Sequence, residues 1–280
     1  MTAAASQLFI AQPSISLAIS EMEEYYGVKL FDRISRKLYL TENGRRALQY
    51  ARHIIDLLDE MEQGVRDVDA MGRLKVGTSI TIGTYLLPGY IKRLKQQYPA
   101  LKVEASIANS ETIEQQILDN EIDVGIIEGV AHSHFILSES FAGDRLAFIC
   151  PAGHEFAGRT LEELAEVRNQ DFILREKGSA GREIFDGILA AQELNVRPIW
   201  QSASNQVILQ GVKAGLGISI LPFFLVRQGI REGELAEFRI KGLALNRKYS
   251  VIYHKNKFLP RSARTLMELC KEENGTARGL

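Results

Sequence analysis

Hydroxyl and amide side chains cluster in this chain where apolar runs give way to amphipathic ones: Thr78, Ser79 and Thr81; Asn109 and Ser110; Ser179; and Ser202, Ser204 and Asn205. A hydroxyl both donates and accepts. At the start of a helix it is joined by backbone N–H groups without intrahelical partners and by a partial positive charge. A cleft ringed by such loops suits a carboxylate, phosphate or sulfate. The run REKGSAGRE adds Arg175 and Arg182 around a Gly-Ser turn, and a guanidinium clamps an oxyanion through two parallel bonds. Glu128 closes IDVGIIEG with the opposite charge; facing such a cleft it selects against a second negative charge or bonds an amine, and otherwise it is a surface carboxylate. The others also have plainer roles, because serine and threonine cap helices generally and Arg175 or Arg182 beside Glu176 or Glu183 forms a surface pair.

A second chemistry sits near the amino end. Proline is favoured at the first position of a helix, so Gln12-Pro13 predicts a helix start. Ile15, Ile19 and Met22 then form one apolar stripe, leaving Pro13, Ser14, Ser16, Leu17 and Ser20 turned outward. Such a small, mostly polar face lies close in a major groove, where serine bonds base edges or phosphates and Gln12 pairs with adenine. Thr2 to Leu8 reads as a short helix upstream, and Phe9 to Gln12 as a turn. Gly27 ends the second helix, and VKLFDRISRKLYLT alternates as a two-stranded ribbon carrying Arg33, Arg36 and Lys37. Lys29 to Arg46 holds six basic and two acidic residues in a chain whose formal charge is −1, so positive charge is concentrated where a phosphate backbone would run.

The elements that position these groups follow from spacing. Thr41 to Met71 contains no proline and predicts one helix, capped by Thr41 and about 45 Å long. Along it Ala47, Ala51, Ile54, Leu58, Met61 and Val65 recur every four and three residues, a heptad seam that calls for a second copy of the chain. After Gly72, strands alternate with helices: RLKVGTSI, a helix near 83–97, LKVEASI, a helix at 112–119 and IDVGIIEG. A second set follows in DFILRE, a helix at 180–192, VRPIWQSA, a helix through 207–213 and LGISILP. Two lobes with parallel sheets therefore face one cleft, with 138–150 and 247–254 crossing between them and 261–273 returning to the first lobe.

In order, AAASQL, AQPSIS, EME, GVKLFDR and LTENG resemble the winged helix-turn-helix of the LysR-type transcriptional regulators. By that resemblance Gln12, Pro13, Ser16 and Leu17 fall where the family reads DNA, Arg33 and Arg36 fall in its wing, and Leu17 stands where many members carry Arg or Lys. The layout after residue 72 resembles that family's effector domain. The implied fold is an α/β effector domain of the type 2 periplasmic-binding-protein fold, with two Rossmann-like lobes, preceded by an all-α winged helix-turn-helix and a long linker helix. The expected boundaries are 1–44 for DNA binding, 45–71 for the linker and 72–280 for the effector domain. Lobe I then spans about 73–147 with 254–275, and lobe II about 148–253. Family members carry a further helix of about one and a half dozen residues before this point, so Leu8, Ile15, Ile19 and Leu30 are expected to lose part of their cover and specific DNA binding to be weak. The REKGSAGRE run resembles a branch that includes regulators of sulfur assimilation and carbon fixation. The implied partners are double-stranded promoter DNA, a small anionic effector, a homodimer or homotetramer, and RNA polymerase.

Other classes find little support. The chain has no apolar run near twenty residues and no basic-then-apolar signal segment, which points to the cytoplasm. Cys150 and Cys270 belong to no CxxC pattern and read as reduced thiols. His132-x-His134 lacks a third ligand at a familiar metal spacing, Cys150 and His154 lack an orienting partner, and GLGIS at 215–219 lacks a phosphate-loop lysine. Neither catalysis nor a metal or other cofactor is expected. A solute-binding protein with two lobes and no DNA role is the alternative, against which the basic wing and the heptad helix argue.

Overall fold

Pro13 and Gly27 bracket the second helix of the chain. The computed structural model describes residues 2–34, 37–66 and 72–272, which fall into two compact units divided between Arg66 and Asp67. In the first unit α1 (Thr2–Gln7) leads through a turn to α2 (Gln12–Tyr26), with Pro13 in its first turn. Gly27 terminates α2 at φ 67°, and the N–H groups of Gly27 and Val28 bond the Glu24 and Glu23 carbonyls. A glycine adopts that left-handed geometry without a Cβ clash. β1 (Phe31–Ile34) and β2 (Lys37–Leu40) follow as an antiparallel hairpin. The Glu23 carboxylate locks this wing to α2, accepting from Lys29 Nζ at 2.5 Å and from the backbone N–H groups of Leu30 and Phe31 at 2.8 and 3.2 Å.

The long helix α3 (Glu42–Arg66) begins where Thr41 Oγ1 accepts the Gly44 N–H at 2.9 Å, while the same hydroxyl donates to the Lys29 carbonyl at 2.6 Å. Only glycine fits at 44, since a Cβ there would lie 1.9 Å from the Leu30 carbonyl oxygen. Positions 67–71 of the expected helix lie outside the described residues. Leu8 and Met22 are exposed, Ile15 and Ile19 half-buried, and Leu30, expected to lose cover, is buried.

The second unit is built from crossovers. β3 (Arg73–Ser79) is followed by α4 (Ile80–Tyr85) and α5 (Leu87–Gln97), then β4 (Lys102–Ala108), α6 (Ser110–Leu118) and β5 (Val124–Glu128). The single helix expected near 83–97 is thus two, broken at Leu86, and Pro88 in the first turn of α5 has no N–H to carry one continuous ladder back to the Thr84 carbonyl. β6 (Ile136–Pro151) leaves the first lobe and enters the second, where β7 (Thr160–Leu161), a 3-10 turn (Leu164–Val167), β8 (Phe172–Arg175), α7 (Ala180–Ala191), β9 (Pro198–Ser202), α8 (Asn205–Lys213), β10 (Ser219–Pro222), α9 (Phe223–Arg231) and β11 (Leu235–Ile240) follow. β12 (Asn246–His254) returns, and α10 (Arg261–Glu272) closes on the first lobe. The main sheet runs β4-β3-β5-β12-β6-β11-β7, with β10 also on β6, while β8 and β9 pair in parallel beside it. Long β6 therefore pairs with strands of both lobes, and β12 pairs antiparallel with it across nine positions, from Asn246↔Arg145 to His254↔Ile136.

Each lobe has its own core. In the first, Leu74, Val76, Val124 and Ile126 pack under Tyr90, Leu94, Leu266 and Leu269. In the second, Phe148 touches the rings of Phe185 and Phe238, with centroids 5.7 and 5.2 Å apart. Among the described residues no helix is long and apolar enough to cross a membrane.

Hydrogen bonds from Lys29 and Leu30 hold the Glu23 pKa down at about 2 from its ordinary 4.5. A depressed carboxylate stabilises the fold fully above about pH 4.5 and loses that contribution as pH falls through about 2. The Glu23→Gln chain is accordingly expected to melt below wild type at pH 7, with the gap narrowing as the pH is lowered from 5 to 3 in thermal-shift scans; a gap independent of pH contradicts this.

Candidate functional site

The expected ligand groups stand at the carboxyl ends of adjacent parallel strands. Thr78 and Ser79 end β3, Thr81 lies in the first turn of α4 and Glu128 ends β5. Because Thr78 pairs in register with Ile126, Glu128 stands two residues further along the neighbouring strand and shares the sheet face of Thr78. All four are buried. Among the described residues the side-chain oxygens of Thr78, Ser79 and Thr81, and Oε1 of Glu128, have no hydrogen-bond partner. Ser79 occupies the N-cap position of α4 without using its hydroxyl as a cap. Buried polar atoms normally find partners, so four unmet demands at one end of a sheet single out this spot.

The other expected residues are committed to the protein. Ser110 Oγ donates to the Glu128 carbonyl at 3.0 Å, and Ser179 caps α7 by accepting the Arg182 N–H. Arg175 and Arg182, for which the sequence left open an anion clamp or a pair with a neighbouring carboxylate, are buried rather than on the surface, and both are engaged by the protein. Arg175 donates to both oxygens of Glu176 at 2.8 and 3.0 Å and through Nη1 to Asn205 Oδ1 at 2.9 Å. Arg182 donates to Asp186 at 2.7 Å and to the Arg175 carbonyl at 3.0 Å. The start of α6 is likewise taken: Asn109 Oδ1 accepts the Thr112 N–H, and Gly178 of the second lobe accepts the Glu111 N–H at 3.1 Å. The lobes thus touch at that edge of the cleft. These five side chains shape the walls, and the unmet demand lies with Thr78, Ser79, Thr81 and Glu128.

Two residues that spacing did not single out complete the site. Arg247 on β12 is buried, its side chain only 2% exposed, and donates from Nε and Nη2 to the Asp144 oxygens at 2.5 and 2.8 Å. Its Nη1 lies 3.3 Å from Glu128 Oε2, which overturns the surface reading of Glu128. Burial pulls the guanidinium pKa down, but Glu128 and Asp144 more than offset it and raise it well above its ordinary value. Burial likewise pushes the adjacent Tyr249 hydroxyl far up. Only the register of β12 on β6, which sets Arg247 opposite Asp144, brings this pair together. Beside the cluster a cavity of about 230 Å³ lies between Leu86 and Tyr90 of the first lobe and Phe223 and Phe224 of the second, with Phe141 and Tyr249 on the crossover strands.

His132 lies in an exposed loop and bridges the lobes. Its Nδ1 lies 3.3 Å from Glu114 on α6 and its Nε2 2.6 Å from Glu183 on α7. Burial lowers the imidazole pKa, while Glu183 and then Glu114 outweigh it and hold it above the ordinary histidine value. Burial pushes the Cys150 thiol up to about 11, which leaves little thiolate at neutral pH.

In the first unit Gln12, Pro13, Ser14, Leu17 and Ser20 are exposed on α2, Ser16 is half-buried, and Gln12 Nε2 donates to Ser16 Oγ at 3.4 Å. Arg33 and Lys37 occupy the wing beside its tip; Arg36 lies outside the described residues. Along α3, Ile54, Leu58 and Met61 are 58%, 51% and 57% exposed, Ala51 is exposed and Ala47 half-buried, while the side chain of Val65 falls outside the described part.

A helix-turn-helix with a β wing, followed by two α/β lobes sharing crossover strands, defines a ligand-responsive DNA-binding protein. Residues 1–45 match the bacterial regulatory helix-turn-helix proteins of the lysR family, and residues 69–275 match the LysR substrate binding domain. The chain is 34% identical over 275 residues to the uncharacterized HTH-type transcriptional regulator YeiE of Escherichia coli K12, covering 98% of this chain and 92% of that one. It is 30% identical over 254 residues to the HTH-type transcriptional regulator CysL of Bacillus subtilis, covering 90% and 85%. Among solved structures, the regulatory domain of Synechocystis CcmR in complex with 2-PG superposes with a TM-score of 0.65 at 25% identity, over 72% of this chain and 97% of that one. HinK of Pseudomonas aeruginosa, a LysR family transcriptional regulator, shares the fold with a TM-score of 0.61 at 24% identity, over 98% and 92%. The chain belongs to the LysR family of transcriptional regulators, which are not enzymes.

Breaking one partner of a buried ion pair leaves an uncompensated charge, typically at a cost of about 3–5 kcal/mol. Arg247→Met, which leaves Glu128 and Asp144 without their shared cation, is therefore expected to destabilise the second unit by about 3–5 kcal/mol in urea unfolding; a loss below about 1 kcal/mol shows that the two carboxylates find other partners.

Proposed function

We propose that this regulator holds paired winged helices on promoter DNA while a small anion, a carboxylate, phosphate or sulfate, seats at the Thr78-Ser79-Thr81 turn and changes the angle between its lobes. The observation that carries the effector half is the set of buried hydroxyls without partners at the carboxyl end of β3. The 2-PG complex of the CcmR regulatory domain supports an anion of this kind. Ser110, Glu128, Arg175, Ser179, Arg182 and Asn205 form the surrounding walls. In the DNA half, Gln12, Pro13, Ser14, Ser16, Leu17 and Ser20 present the groove-facing surface, and Arg33, Arg36 and Lys37 contact phosphates. The domains divide as 1–44, 45–71 and 72–280. A cytoplasmic location and contact with RNA polymerase accompany a role on promoters.

The DNA half is tested by fluorescence anisotropy on fragments from upstream of the gene. The logarithm of affinity is expected to fall linearly with the logarithm of salt, by about 0.9 per phosphate contact. Substituting Arg33, Arg36 or Lys37 by Ala is expected to shallow the slope by about 1 each. An affinity that does not change with salt favours a solute binder.

Assembly rests on α3. Its seam residues Ile54, Leu58 and Met61 leave more than half of their surface exposed in the single chain, as a coiled-coil seam does before its partner arrives. By sedimentation the chain is expected to be a dimer or tetramer at micromolar concentration, and the Ile54→Asp/Leu58→Asp chain to dissociate; an unchanged assembly in that variant places the interface elsewhere.

A further inference from the structure

We infer that the effector is an anion that also carries a hydroxyl or ammonium hydrogen-bond donor, which pairs with the Glu128 carboxylate; this rests on the reading above that the Thr78-Ser79-Thr81 turn receives an anion. The four side chains place opposite demands on a ligand. The three hydroxyls of Thr78, Ser79 and Thr81 can each donate to an oxyanion. An ionised carboxylate can only accept, and Glu128 is 3% exposed with Oε1 unpartnered among the described residues.

The protein's own cation does not meet that demand. Arg247 gives Nε and Nη2 to Asp144 at 2.5 and 2.8 Å, and only its Nη1 approaches Glu128, at 3.3 Å from the other oxygen, Oε2. Two carboxylates around one guanidinium leave a buried excess of negative charge, with Oε1 as the atom short of a donor. A ligand made wholly of acceptors satisfies the hydroxyls yet sets its oxygens against this excess, where low polarity magnifies repulsion. A donor on the same molecule relieves both problems: it bonds Oε1 and stands between the two negative groups. Thr78 and Glu128 lie on one face of adjacent strands, separated by two residues of rise, about 7 Å. A compact metabolite with an anionic head and a nearby O–H or N–H bridges that interval.

The consequence for selectivity is large in principle. A site built around a buried hydrogen bond rejects the analogue lacking that group, by up to about 10⁴-fold or more, because its own polar atom is then left unpaired. The test uses the full chain and matched probes in calorimetry and thermal-shift assays: propionate, glycerate, serine, and sulfate alone. Sulfate is expected to stabilise the chain, and glycerate or serine to bind at least about tenfold more tightly than propionate, an advantage that shrinks in the Glu128→Gln chain. Propionate matching both donor-bearing acids, while sulfate still stabilises, overturns the donor inference and leaves the anion reading standing. Stabilisation by none of the four removes the anion reading itself, and the inference with it. The wild-type comparison decides between these outcomes even if Glu128→Gln folds poorly.

Discussion

A guanidinium withdrawn from water needs partners on every side, and Arg247 finds them at the joint between the two lobes. Its partners come from separate strands: Asp144 from β6, directly opposite in register, and Glu128 from the end of β5. A shift of β12 by one residue would turn the charge to the other face of the sheet. The cluster therefore fixes the register of the crossover strands, a more secure role for a buried ion pair than net stabilisation, which desolvation largely offsets. It also aims the Glu128 carboxylate, one oxygen against Arg247 and the other without a partner.

That joint determines how the cleft can respond. β6 runs through both lobes and β12 carries the chain back to the first, so a change of inter-lobe angle must bend the chain near the Arg247 cluster. Elsewhere the lobes meet through lighter contacts: the Glu111 N–H on the Gly178 carbonyl, the His132 bridge between Glu114 and Glu183, and the edge-on rings of Tyr85 and Phe224. Such contacts exchange with modest cost, whereas the buried cluster does not. A ligand at the hydroxyl turn shifts the lobes only as far as it binds one arrangement better than the other. The groups that separate those arrangements are the ones still short of partners, Thr78, Ser79, Thr81 and Glu128.

Much of this was legible from spacing, for physical reasons. Proline at a helix start, glycine at its end and the heptad seam are local signals, and α2, the wing and α3 follow from them. The βαβαβ pattern likewise placed the hydroxyl turn at a strand end. What sequence did not show depends on long-range pairing. Arg247 and Asp144 are about a hundred positions apart and meet only through the register of two antiparallel strands. Their visible trace was a pair of charges beside runs otherwise destined for burial, in FAGDRLAFIC and NRKYSVIYH. For Arg175 and Arg182 the sequence left both a clamp and a pair with Glu176 or Glu183 open, because only part of a side chain's partners is written next to it. Asn205 is thirty positions downstream of Arg175, and the carbonyl that Arg182 bonds is presented by a turn. The break at Leu86 was signalled by Pro88, but a proline near a helix start is compatible with one helix or two.

Hydrogen exchange on the full chain, with and without a stabilising anion, bears most directly on the claim that one turn between the lobes senses the effector. Slowed exchange centred on the amides of 78–83 and 128–130, with smaller changes along β6 and β12, is the expected result. Protection confined to the surface of either lobe, with these segments unchanged, would contradict it.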